Sequence, residues 1–340
     1  MVLVVLVAAV ASGALRQWLK GQRTLGETAM KALRTVVVLS IWIAALFYLL
    51  WGLHYYREPA HERLGWARLD PAEWEQDPAD LTTLATFLTQ AVNRSYVEVH
   101  GSVDAGQPTD PPSLSRVHIA LEEGYTSAQE ALSLAEPLAQ PHGHAKPLFS
   151  SPLFSRLGIA GIYFPFTGEA NFNKDIPGWS IPHVVAHEKA HQRGIASEDE
   201  ANFFGFLSCL YAPLPEARYS GLLFAQRQVV SALLKVAPEE AIRIAKQRHP
   251  GVQRDINAHR AFWLGYRGPL TDVGSAFNDT YLKLNGVKHG TDSYHESLIL
   301  IALLFREIET RNALPDYLSS ESVTGQLTSS PTSNGSSPSS

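Results

Sequence analysis

The chain has 340 residues, a formal net charge of −5 and 45% hydrophobic residues, which is enough for one sizeable core or two small ones once an anchor and a tail are set aside. No long basic patch accompanies this acidic balance, so the composition weighs against a nucleic-acid partner. Cys209 is the only cysteine, which excludes an internal disulfide but leaves the compartment open, because many proteins outside the cytoplasm lack disulfides.

Two apolar runs open the chain. Residues 2–15 are too short to span a bilayer comfortably, whereas residues 35–53 match the length of a transmembrane helix. The first run has its positive residues after the apolar stretch, the wrong order for a signal peptide, and reads as a clipped membrane helix. Between the runs lie Arg16, Lys20, Arg23, Lys31 and Arg34 against the single acid Glu27, and Arg57, Arg63 and Arg68 follow the second. Basic loops stay in the cytoplasm. Residues 1–53 are therefore expected to anchor the chain in the cell membrane, in contact with lipid, with the soluble domain extracytoplasmic.

Residues 54–80 are rich in acids, proline and tryptophan and read as a connector near the membrane surface. Helical spacing covers 81–98 and 113–136, separated by the turn-rich Gly101 to Pro112. Pro141 to Pro147 reads as a loop; His142 and His144 within it could bind metal, although a solvated loop is the commoner use of such residues. Ile159 to Phe166 has the β-branched and aromatic content of a strand, with Pro165 placing it at a sheet edge or at its own end. Zinc peptidases commonly line the substrate cleft with such a strand, whose free edge pairs with an extended peptide.

The segment from Pro182 to His191 contains His187-Glu188-Lys189-Ala190-His191, the HExxH pattern. On a helix, side chains four apart share a face, so both imidazoles can turn toward one metal ion with Glu188 beside them. Zinc hydrolases pair a Lewis acid with a carboxylate base in this way. Ser180 and Pro182 suit a helix start, and Val184, Val185, Ala186 and Ala190 its buried side. Gly194 can end the helix in a left-handed conformation and let the chain double back. Ser197 with Glu200 three later has the form of a capping box, so a second helix is expected to begin there. Acids that open a helix commonly serve its dipole; the sharper assignment makes Glu198 the third zinc ligand, with Asn202 one turn later holding a ligand by hydrogen bond, and leaves Glu200 to the cap. His183 lies one turn before His187 and is read first as a hydrogen-bonded structural histidine.

The stretch from His187 to Phe203 resembles the signature of a bacterial family of membrane-anchored proteins of unknown function with a zinc-type site. Trp51 to Arg57 is similar to the family's WGxNYxR at the outer end of a membrane helix, with His54 in place of the usual asparagine. Tyr163 to Asn171 resembles its strand-like approach to the zinc helix, and Asn278 to Lys283 and Ser293-Tyr294 resemble two late segments. The resemblance runs from about residue 35 to about 310 and implies a zinc site and a peptidase-like activity, without a substrate. Because the family's amino end usually holds more sequence, Met1 is expected to be a late start or a truncated gene model.

Beyond the metal segment, helices are expected at 219–236, 238–248, 253–265, 271–284 and 292–311, and the serine-dominated residues 319–340 should be disordered. Tyr281 and Tyr294 could supply an oxyanion-stabilising phenol, although packing is the commoner role for each; Glu169 could bind a substrate amine or end a turn. The expected architecture is mainly α with a small β element, a zincin-like α+β metal domain over residues 54–318 behind N-terminal transmembrane helices. Two function classes follow. One is a zinc metallopeptidase acting on a peptide or protein substrate, with His187, His191 and Glu198 on the metal and Glu188 as base; the other is a non-catalytic, zinc-stabilised binding or structural membrane protein. Intact Glu188 favours the first, because a purely structural site needs no base.

Overall fold

The computed structural model describes residues 24–66, 78–101, 106–284 and 295–318, together with Ser12. The apolar run at 2–15, Arg68, Tyr294 and the tail at 319–340 lie outside the described residues, as does the Tyr281 side chain. The chain divides into two compact units, residues 1–56 with 165–167 and residues 57–164 with 168–340.

In the first unit, helix α1 spans Leu25–Leu50 and starts at a capping box: the Glu27 amide donates to Thr24 Oγ1 at 3.3 Å, and the Thr24 amide donates to Glu27 Oε2 at 3.0 Å. The membrane helix expected at 35–53 thus begins ten residues earlier and ends three earlier, with Trp51 leading into a 3-10 turn at Gly52–Tyr56. Glu27, Lys31 and Arg34 consequently sit on the helix and not in a loop. Met30, Ile41, Trp42 and Leu49 are all exposed, and the stretch Gly26–Leu50 is long and apolar enough to cross a membrane. A membrane anchor and a signal sequence both have this character.

The second unit is mainly helical with one small mixed sheet. Its elements are α2 (Ala60–Arg63), α3 (Pro78–His100), α4 (Leu114–Ala131), β1 (Lys146–Pro147), α5 (Ser151–Arg156), β2 (Gly161–Phe164), β3 (Glu169–Phe172), α6 (Ile181–Gln192), α7 (Glu198–Tyr211), α8 (Pro215–Val236), α9 (Pro238–Ala245), α10 (Pro250–Tyr266), α11 (Pro269–Leu284) and α12 (His295–Arg311). The sheet order is β1-β3-β2, with β1 parallel and β2 antiparallel to β3, which leaves β2 at an edge. The loop expected at Pro141 to Pro147 therefore ends in a two-residue strand, whose pairing is completed by the Leu148 amide donating to the Phe172 carbonyl.

Helix α7 is the centre of the packing. Phe203, Phe204, Phe206, Leu207 and Leu210 are fully buried among side chains of α3, α8 and α12. Two glycines set its approach to its neighbours. A Cβ at Gly205 would lie 2.9 Å from the His187 amide nitrogen, so α6 and α7 meet backbone to backbone at the HExxH segment, and a Cβ at Gly124 would strike the Ser208 carbonyl at 2.1 Å, which fixes α4 against the other side. The Tyr125 hydroxyl donates to the Ala186 carbonyl at 2.7 Å and ties α4 to α6 as well. On that flank Lys189, wholly buried, donates to the Gly143 carbonyl at 2.9 Å and pairs with Glu122 at 2.6 Å; Arg193 joins the same carboxylate at 2.8 Å.

Candidate metal centre

Helix α6 opens off a 3-10 turn at Gly178–Ser180 with proline in its first turn. Ser180 occupies the cap position, but its hydroxyl donates to the Pro177 carbonyl at 2.7 Å, so it does not cap the helix by side chain as expected. At the other end Gly194 takes a φ of 78°, the left-handed turn its position calls for, and α7 starts at Glu198 with Ser197 as its cap. This turn brings His187, His191 and Glu198 together: their ligand atoms all lie within 4.8 Å of one another. His187 Nε2 is 3.1 Å from His191 Nε2 and 3.2 Å from Glu198 Oε2, and His191 Nε2 is 3.8 Å from Glu198 Oε1.

The hydrogen bonds behind the rings decide which atoms face inward. His191 Nδ1 lies 2.6 Å from the Ile195 carbonyl, which can only accept, so Nδ1 carries the proton and Nε2 presents a lone pair. His187 Nδ1 lies 2.9 Å from Asn202 Oδ1, and the same tautomer follows when that amide oxygen accepts. Two imidazole lone pairs and a carboxylate then converge on one point. They repel one another unless a cation lies between them. In tetrahedral zinc the ligand atoms at about 2.0–2.1 Å from the metal stand roughly 3.3 Å apart, close to the separations found here. The donor set and its spacing fit zinc.

Protonation gives the alternative route to the same balance. Burial favours neutral His187, yet its hydrogen bond and charge contact with Glu198, helped by Glu188, outweigh this and raise it to about 9. Burial holds His191 down to about 4. For Glu198 burial is likewise outweighed, by both histidines, and its carboxyl falls to about 2. The site therefore keeps its carboxylate charged and holds one positive charge against it.

Glu188, next to His187 in the chain and in charge contact with it, is 4% exposed, and among the described residues its Oε2 is buried without a hydrogen-bond partner. Burial raises its carboxyl to about 8, so it holds a proton near neutrality. A Cβ on Gly161 would fall 2.3 Å from Glu188 Oε1, which shows the edge strand β2 pressed against this carboxylate. Two residues along β2, on the same face by strand alternation, the Tyr163 ring stands 6.2 Å from the His191 ring. Burial raises its phenol, which keeps its proton. Tyr163 lines the site, although the sequence pointed to Tyr281 and Tyr294 for a phenol; the period-two spacing from Gly161 was the available signal.

The remaining candidates fall outside the cluster. His183 stacks on Phe224 at 3.7 Å, approaches the Asn202 carbonyl with Nε2 at 3.3 Å, and is lowered to about 3 by burial. His144 stacks on His118 at 4.4 Å, and the His142 carbonyl accepts from Lys189. Glu169 pairs with Lys146 across β1 and β3. The expected capping box is only half formed: the Glu200 amide reaches Ser197 Oγ at 3.5 Å, but the Glu200 carboxylate turns away to Arg63 at 2.8 Å and to the Ala60 amide at 2.7 Å.

A family model described as "Protein of unknown function (DUF3810)" matches residues 1–302. No curated protein and no solved structure matches the chain.

Proposed function

Because the chain belongs to the DUF3810 family, whose function is unknown, the site has to carry the reading, and we propose a membrane-anchored, zinc-dependent hydrolase, specifically a metallopeptidase. His187, His191 and Glu198 hold the metal and Glu188 is the catalytic acid and base. The observation that carries this is the convergence of three inward lone-pair donors within 4.8 Å beside a buried carboxylate. Bound zinc supplies a Lewis acid and lowers the pKa of water to about 7. In its ionised form, which a cation held beside it would favour, Glu188 would take the proton from the attacking water and deliver it to the departing amine as the carbon–nitrogen bond breaks, and the burial that raises its pKa makes that carboxylate the stronger base. The Tyr163 phenol is a protonated donor on the same side.

A purely structural zinc site fills its positions with protein ligands and needs no base. Edge strand β2 supports a peptide substrate, since an extended chain adding to that edge would lie next to Gly161 and hence Glu188. The helix, left-handed turn and glutamate-bearing helix support a zincin-like fold. Helix α1 serves as the anchor in this reading, because Gly26–Leu50 far exceeds the roughly 7–15 apolar residues of a signal-peptide core. The test is zinc content and turnover together. Purified protein never exposed to chelator is expected to carry about one zinc per chain and cleave members of a peptide library; Glu188→Gln is expected to keep the zinc and lose turnover by about 1000-fold or more. Metal-free protein sinks the proposal.

A further inference from the structure

Arg57 and Arg63 follow the anchor helix and its 3-10 turn in sequence, yet their side chains hold the turn that carries Glu198. Arg57 donates from Nη1 to the Gly194 carbonyl at 3.0 Å and from Nη2 to Glu136 Oε1 at 2.5 Å. Arg63 donates from Nε to Glu136 Oε2 at 2.7 Å, and from Nη1 and Nη2 to the two oxygens of Glu200 at 3.2 and 2.8 Å. Segment 194–200 is thus tethered at both ends to one short stretch of chain. Two positive and two negative groups balance there, with the Glu136 side chain 3% and the Glu200 side chain 8% exposed. Where solvent is excluded, a guanidinium fork fixes direction as well as distance.

The rest of its support is local: the Gly194 and Ile195 amides donate to the His191 and Ala190 carbonyls, and the Ile195 side chain is buried. Ile195 to Ser197 belong to no helix or strand, and the Ser197 cap bond is long at 3.5 Å. Yet the segment sets two of the three metal donors, since Glu198 lies within it and the Ile195 carbonyl orients the His191 ring. We propose that Arg57 and Arg63 are positioning residues for the metal centre: the stretch after the anchor holds the 194–200 turn in the geometry that presents Glu198 and aligns His191. Displacing that stretch lowers metal affinity without touching a ligand, which makes it a control point between the anchor and the site. The inference rests on the zinc reading above.

The test uses full-length protein in detergent, with cobalt(II) as the metal probe, its visible spectrum as the reporter of ligand geometry, and zinc competition for affinity. Arg57→Ala and Arg63→Lys are expected to weaken binding about tenfold or more and to shift the cobalt bands, with wild-type circular dichroism. Arg218→Lys is the comparison: its ion pair with Glu98 lies outside this network, and it is expected to lower stability while leaving affinity and spectrum unchanged. Arg57→Lys decides if Arg57→Ala does not fold, because one ammonium cannot serve both the Gly194 carbonyl and Glu136 as the fork does. Wild-type affinity and spectrum in the arginine variants, or an equal shift in Arg218→Lys, overturn this inference alone. A wild-type protein that binds neither cobalt nor zinc overturns the zinc reading and this inference with it.

Discussion

Glu198 and Glu200 are two residues apart at the start of one helix, and their surroundings give them different work. Glu198 faces two imidazole nitrogens, while Glu200 is spent on Arg63 and the Ala60 amide. Truncating each should separate the roles. Glu198→Ala is expected to lower zinc affinity roughly 100-fold or more, and to lower the stability of the metal-free protein by the loss of its charge pair with His187. Glu200→Ala leaves a largely buried guanidinium short of a partner and is expected to cost about 3 kcal/mol of stability, with zinc affinity reduced only about tenfold through the loosened turn. Metal titrations and urea unfolding of both variants check this. The reverse ranking in affinity assigns the ligand to Glu200.

At the scale of elements, the site is a helix pair with an edge strand laid across it, and each junction depends on a residue with no side chain. Gly161→Ala puts a methyl where the Glu188 carboxylate lies, so zinc content is expected to hold while kcat falls at least tenfold. Equal loss of metal and turnover argues instead that β2 merely supports the fold. The two site helices were legible because their signals are local: HExxH at helical spacing, Gly194 at the stop and Ser197 at the restart. The sheet was largely not. β1 has two residues, one of them a proline, and β3 becomes a strand by pairing with β1 and β2, contacts that no window of sequence contains. For the same reason Glu200 fitted a capping box in sequence, whereas its partner is 137 residues away. The resemblance over Tyr163 to Asn171 does not place the Tyr163 ring, since only the strand's register against α6 shows which ring meets His191.

Two properties belong to the whole molecule. The first is acid sensitivity. His118 is buried, stacked on His144, and lowered to about 4 by burial first and then by the charges of His144 and Lys189, with Glu122 opposing. Its folded pKa lies below the unfolded value of about 6.5, so the unfolded chain binds the proton first and stability falls as pH drops from about 6.5 to 4. Glu136, also depressed because two arginines outweigh its burial, keeps its contribution down to the unfolded carboxylate value of about 4.5 and loses it as pH falls from there through its lower folded value. His118→Phe is expected to flatten the slope of unfolding free energy between pH 6.5 and 4 by up to about 1.4 kcal/mol per pH unit, measured by urea unfolding in detergent. An unchanged slope removes His118 from the account.

The second follows from the proposal that α1 anchors the chain, and is its expected orientation across the membrane. With Lys31 and Arg34 on α1, its uncharged part from Thr35 to Leu50 is about 24 Å long and would reach a full hydrocarbon thickness of about 30 Å only if those two side chains extend toward the interface. In such a span Lys31 and Arg34 would lie at the lipid surface on the amino side. On the carboxyl side Arg57 and Arg63 are drawn into the folded domain by Glu136 and Glu200, and no basic residue occupies the last turn of the helix. The net bias thus favours an amino end held in the cytoplasm and a metal domain outside it, by more than the raw count of five against three suggests. Reporter fusions after Leu53 and after Tyr317 test this, one reporter being active only in the cytoplasm and the other only beyond it. Both junctions are expected to light the external reporter, and Lys31→Glu with Arg34→Glu is expected to move part of the population to the opposite orientation. Cytoplasmic activity at both wild-type junctions reverses the assignment and would put the site, with its edge strand, in reach of cytoplasmic peptides instead.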